Sequence, residues 1–272
     1  MDWLTEPFQF AFMQRALIAG VLAALTTALV GTWMVLRGLS FMGDALAHGV
    51  LPGIALGVLL GFDLTVGAAA SALVMVAGIN LVHRRSRLTE DTGIGLLFVG
   101  MLAAGVVIIS RTDSYTGSLT GILFGDALGA TAGDIALLGA ALVLVLGTTV
   151  FFYRSFLVLS FNDQKAEMLG LRPRLAHVVM LTLVTAAVVS SFQTVGTLLV
   201  FGLLVAPPAT ASLLARRVPA MMAVAGLLGV GAVAVGLLTS FHAGTAASAT
   251  IAAVAVTTFF VVLAFRPLAA TH

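Results

Sequence analysis

Between residues 10 and 264 the chain passes through nine apolar stretches, each close to the length of a membrane-crossing helix. They are 10–36, 45–61, 64–82, 93–110, 133–152, 175–191, 195–214, 219–240 and 246–264. A helix spans the hydrocarbon core with about 20 mostly apolar residues. Two of the stretches are compromised, one by Pro52-Gly53 and the other by Pro207-Pro208. Proline inside a membrane helix frees carbonyls that a neighbour or a polar cavity must satisfy. The expected architecture is therefore all-α: one polytopic helical bundle over 1–272 with eight or nine crossings. A water-soluble domain is excluded by charge, since only 9% of residues are charged where soluble domains carry roughly 25%. The 29 glycines suit close helix packing in lipid.

The charges that remain order the loops. Arg84, Arg85 and Arg87 follow the third stretch, and Arg154, Lys165, Arg172 and Arg174 lie between the fifth and sixth. Arg216 and Arg217 follow the seventh and Arg266 the last. The positive-inside rule puts these in the cytoplasm. Alternation then places 111–132 and 239–245 outside and, with nine crossings, the N-terminal end outside as well. The arginines are topology signals rather than a nucleic-acid patch. Met1 to Gln9 is acidic and aromatic and lacks the basic start of a secretory signal peptide.

Several chemistries are absent. Without cysteine there is no disulfide, zinc–thiolate cluster or thiol nucleophile. No Gly-x4-Gly-Lys-Ser/Thr loop is present to cradle ATP, and there is no His-Glu-x-x-His or Gly-x-Ser-x-Gly motif. The chain is not itself expected to be an enzyme.

One polar pair interrupts the apolar pattern. Asp44 and His48 are four residues apart, which sets both side chains on one helical face. An Asp at bilayer depth costs roughly 2.5–3.5 kcal/mol on insertion scales, so it is rarely there without a partner or a pathway. Carboxylate plus imidazole makes half of a site for manganese, iron or zinc. A two-fold dimer would bring two copies of each to its axis. The plainer reading is a helix cap with a structural histidine beside it, and spacing does not separate the two. Gly43, Gly49, Gly53 and Gly57 fit close packing around the pair. Of the other polar residues, His177 fits an interfacial position and His83 a solvated one. Gln193 and Thr194 fall between two crossings, and Asp126 sits in a weak echo of the Gly43-Asp-Ala-Leu46 stretch. The long interior segment 153–174 contains Ser160-Phe-Asn-Asp163, a capping-box pattern, followed by good helix formers and Gly170. It reads as a short helix outside the membrane, either a connector or a functional element.

The stretch Ser40-Phe-Met-Gly-Asp-Ala-Leu-Ala-His-Gly-Val-Leu-Pro-Gly-Ile-Ala strongly resembles the permease subunits of bacterial manganese/zinc/iron ABC importers. Three further segments agree in order: Gly117-Ser-Leu-Thr-Gly-Ile-Leu-Phe-Gly125, Asp163-Gln-Lys-Ala-Glu-Met-Leu-Gly170, and Val195-Gly-Thr-Leu-Leu-Val-Phe-Gly-Leu-Leu-Val-Ala-Pro-Pro-Ala-Thr-Ala211. The resemblance implies a permease fold of the vitamin-B12/metal-chelate importer type, in a bacterial plasma membrane. It implies a second permease copy, two cytoplasmic ABC ATPase subunits and an extracytoplasmic metal-binding protein. ATP hydrolysis would reside in those partners, no cofactor would be tightly bound, and the ion would be cargo. It also implies that a helix at about 160–171 couples to the ATPase, through Asp163, Ala166, Glu167, Leu169, Gly170 and Leu171. Asp44 and His48 match the family's Asp-x-x-x-His position on the metal path.

The chain departs from the family pattern near its last crossing. Where the family often reads Ser-Tyr-x-x-Asp-x-Pro-x-Gly, this sequence has Gly244, Ala246 and Ser248 at the Asp, Pro and Gly positions. His242 is the nearest substitute for the missing acid at the outer mouth. The competing function is a stand-alone secondary metal transporter or channel, coupled to protons or ions through Asp44 and His48. A membrane scaffold ranks last, because it leaves that pair unexplained.

Overall fold

The computed structural model describes residues 6–39, 41–85, 90–110, 129–161 and 172–265, and among these all regular structure is helical. After a 3-10 turn at Pro7–Gln9, α1 spans Ala11–Arg37. Helices α2 (Phe41–Gly49) and α3 (Leu51–Leu60) form one interrupted crossing. Helix α4 is Leu64–Arg85, α5 Glu90–Ile109, α6 Ala132–Phe151 and α7 Tyr153–Phe161. Helix α8 is Pro173–Val195, α9 Thr197–Leu214, α10 Val218–Ala243 and α11 Ala247–Phe265. Among the described residues, nine segments are long and apolar enough to cross a membrane, and both proline-bearing stretches are among them.

The prolines are accommodated in two ways. Pro52 lies in the first turn of α3, where a missing N–H is tolerated, and the crossing breaks at Val50 just before it. Pro207 and Pro208 lie inside α9, which stays helical through both. Pro208 has no N–H to give the Leu204 carbonyl. That oxygen faces Gly31 of α1, where a Cβ would collide with it.

Turns between crossings are short and locally capped. Gly38 ends α1 with a left-handed φ of 70°, and the Leu39 N–H closes back on the Met34 carbonyl at 3.0 Å. Asp63 caps α4, accepting the Thr65 and Val66 N–H groups at 2.8 and 3.1 Å. The Val66 and then the Thr65 bonds hold its carboxyl below the ordinary value. Thr131 and Asp134 form a reciprocal capping box at the start of α6.

Helix α1 packs against α6, α8, α9 and α10, while α3 packs between α4 and α5. Helix α8 links the two groups by touching both α1 and α4. The buried face of α1 is built from Ala16, Ala19, Ala23 and Ala24, small enough for neighbouring backbones to approach. Its buried hydroxyls bond to their own helix, Thr27 to the Ala23 carbonyl and Thr32 to that of Ala28, both at 2.7 Å. Outside, Leu60, Val143, Leu227 and Phe265 are exposed. Apolar surface on this scale would drive association in water and is suited to lipid.

One contact relates the start of α1 to the α10–α11 turn. The Phe10 ring lies 6.1 Å from that of Phe241. Helix α1 therefore begins on the side of the α10–α11 turn, which the arginine pattern puts outside.

The capping box expected at Ser160 is not formed there. Ser160 lies within α7, and its hydroxyl donates to the Phe156 carbonyl at 2.8 Å. An N-cap requires non-helical backbone. Burial of Phe156 and Leu159 instead carries a helix through 153–161. The segment 162–171, with Asp163, Ala166, Glu167, Leu169, Gly170 and Leu171, lies outside the described residues, as do Asp126 and 117–125.

Candidate metal-path site

Helix α2 presents Asp44 and His48 one turn apart, and the fold brings them together. His48 Nε2 stands 3.4 Å from Asp44 Oδ1, a charge-paired contact when the imidazole is protonated. Glycine edges explain which way they face. A Cβ on Gly43 would collide with Leu204 of α9, and one on Gly49 with Met75 of α4. These two helices close on α2 along its glycines, and Asp44 and His48 are left on the remaining side. Their side chains are 29% and 23% exposed within a membrane crossing. A carboxylate so exposed cannot rest against lipid without a large penalty, so this face calls for water, an ion or another protein surface.

The surroundings of the pair are apolar. Phe98 of α5 packs edge-on against the His48 ring at 5.6 Å and against Phe41 at 5.5 Å. From α4, the buried Ser71 hydroxyl donates to the Gly49 carbonyl at 2.7 Å. Among the described residues no third His, Asp or Glu joins the pair to complete a metal site. The described residues thus offer one oxygen and one nitrogen donor here, types that manganese, iron and zinc accept.

His242 is not brought to this pair. It lies exposed in the last turn of α10, its Nδ1 2.9 Å from the Leu238 carbonyl. The altered stretch beside it has a structural role. Gly244 caps α10 at a left-handed φ of 64°, and the Ser240 hydroxyl donates to the Thr245 carbonyl at 2.6 Å. Glycine adopts this backbone without strain. His177 is buried in the second turn of α8, near the start of that crossing, and Thr194 is buried at the end of the helix. Sequence reading missed Ser71 and Phe98. Neither carries a charge or a motif, and their relation to the pair exists only across helices.

The sequence model of the ABC 3 transport family matches residues 9–266. The chain belongs to the ABC 3 transport family. This permease is 37% identical to the manganese transport system membrane protein MntC of Listeria innocua, over 98% of this chain and 95% of that one. It is 36% identical to the chelated iron transport system membrane protein YfeD of Yersinia pestis, over 88% of this chain and 80% of that one. A solved structure of PsaBC from Streptococcus pneumoniae in complex with Fab matches with a TM-score of 0.85 and 31% identity, covering 98% of this chain and 96% of that chain. The all-helical, multi-pass architecture expected of the permease is the one it has. Membership of a transport family is consistent with the expectation that the chain is not itself an enzyme.

Proposed function

We propose that this permease lines the pore of an ABC importer carrying manganese, with iron and zinc as competing cargoes. The observation that carries the reading is the Asp44–His48 pair, partly exposed on a crossing whose other sides are packed with apolar residues. Relatives named for manganese and iron transport support the choice of ion. A second permease copy facing this surface would double the pair to two carboxylates and two imidazoles, a mixed oxygen and nitrogen set. Such a site must release what it binds, so a loose and partly hydrated arrangement suits transport better than a closed cage. Asp44 supplies charge to draw the cation from water. His48 supplies a neutral ligand that helps hold it and lets it leave. His242, at the outer end of α10, is a weaker candidate for contact with an arriving ion.

An extracytoplasmic binding protein would deliver the ion, and a cytoplasmic ABC ATPase would drive alternating access. The test is uptake of labelled manganese by cells expressing the whole transporter, with unlabelled manganese, zinc and iron as competitors. Manganese is expected to compete best, and uptake should stop when the ATPase subunit is disabled. Uptake that persists without the ATPase would overturn the reading in favour of a stand-alone transporter.

The segment 162–171 is the proposed contact with the ATPase, through Asp163, Ala166, Glu167, Leu169, Gly170 and Leu171. It follows directly on α7, whose Tyr153 and Phe156 both pack edge-on against Trp33 of α1 at 5.6 Å. Push on this segment would thereby reach the bundle through a buried aromatic contact. Deleting 162–171 is expected to abolish co-purification of the ATPase subunit while the permease stays in the membrane. An unchanged pull-down would refute the assignment.

A further inference from the structure

The Asp44–His48 pair is held from two directions by uncharged residues of other helices. Ser71 of α4 donates its hydroxyl to the carbonyl of Gly49, the residue after His48 and the last of α2. A helix that stops at membrane depth leaves carbonyls without donors, and each must find a partner. The buried hydroxyls of Thr27, Thr32, Thr185 and Thr210 bond back within their own helices. Ser71 instead reaches across to a different crossing, at the break that follows His48. The same stretch is clamped further by Met75 against Gly49 and by the backbone contact of Gly53 with Gly67.

On the other side, Phe98 of α5 touches both Phe41 and His48, the residues that flank Asp44 on the open face of α2. An aromatic ring offers the imidazole no strong hydrogen-bond acceptor on that flank, and Nε2 is turned toward Asp44. The backbone under His48 and the ring of His48 are thus fixed by different helices.

We propose that Ser71 and Phe98 are positioning residues for metal passage. Ser71 fixes the peptide that carries His48, and Phe98 fixes the direction of its ring. This inference rests on reading Asp44 and His48 as ion ligands. Ligands work only when held within about 0.5 Å of their productive geometry. Loosening either support should therefore weaken ion binding before it weakens the fold.

The test measures labelled manganese uptake against manganese concentration, in cells whose own permease is deleted and which carry the complete transporter. Ser71→Ala and Phe98→Leu are each expected to raise KM about three- to tenfold, the scale of one interhelical contact in a membrane. The maximal rate should change less than KM. Ser71→Thr, which keeps the hydroxyl, and Phe98→Tyr, which keeps the ring, should restore KM. An unchanged KM in the first two variants overturns the proposal. So does a raised KM that the conservative variants fail to restore, because the effect would then be general damage. Asp44→Ala in the same cells separates the two levels. If it transports normally, the ligand reading itself falls. If it is inactive while Ser71→Ala and Phe98→Leu are silent, only the positioning roles fall.

Discussion

Asp44→Ala is expected to bring manganese uptake down to the background of cells lacking the permease, with the variant present in the membrane at the wild-type level. The two halves of this result have separate causes. Removing a carboxylate from a crossing makes insertion easier by about 2.5–3.5 kcal/mol, so the protein has no reason to be lost. The side chain is partly exposed, and its contact among the described residues is with His48 four residues away, so little packing depends on it. Transport, in contrast, loses its one charged ligand per protomer among the described residues of the site. An imidazole alone gives a divalent cation little to exchange for its water. Asp44→Asn keeps the shape and removes the charge, and it should be nearly as inactive. Uptake is read with labelled manganese and abundance by immunoblot of washed membranes. Normal uptake by either variant would remove Asp44 from the ion path.

The second large effect concerns the packing beside the site. Gly53→Leu is expected to yield no monodisperse protein after detergent extraction. A Cβ at Gly53 would run into the Gly67 carbonyl, and one at Gly67 into the Gly53 carbonyl. The two backbones are apposed here, and neither can give way as the tip of a flexible side chain could. Overpacking of a close-packed interior typically costs about 1–3 kcal/mol even where side chains can shift, and backbone against backbone is worse. The damage would spread, since α3 and α4 together hold the break beyond His48. Gly100 provides the control, because a Cβ there meets nothing within 4 Å. Gly100→Ala should extract and run as the wild type does. Size-exclusion profiles of the two variants decide the matter, and a normal profile for Gly53→Leu would refute the interface.

The break at Val50 shows how far sequence reading reaches. Pro52 announced a disturbance, and a proline inside a membrane helix implies freed backbone groups. It did not say whether the segment crossed. The structure joins α2 and α3 into one crossing because Gly49, Gly53 and Ser71 allow α4 to lie against the break and cover it. Pro207 and Pro208 gave the same warning, and the outcome was different. Helix α9 runs straight through them, with the freed Leu204 carbonyl set against Gly31. Ser160 is the reverse case. A local pattern pointed to a helix start, but burial of Phe156 and Leu159 put it inside a helix already under way.

The sequence by itself determined that this protein is a polytopic helical bundle, where its crossings lie to within a few residues, and that Asp44 and His48 share a helical face. These follow from apolar length, from charge scarcity and from the fixed period of the helix, all of which act along the chain. Only the tertiary structure decided that both proline-bearing stretches are among the nine described segments long enough to cross, that α1 starts on the side of the α10–α11 turn, and that Ser71 bonds the Gly49 carbonyl while Phe98 packs against His48. Those outcomes depend on which helices meet. Contacts between residues 22 and 50 positions apart leave no periodic trace in a chain that is apolar nearly throughout.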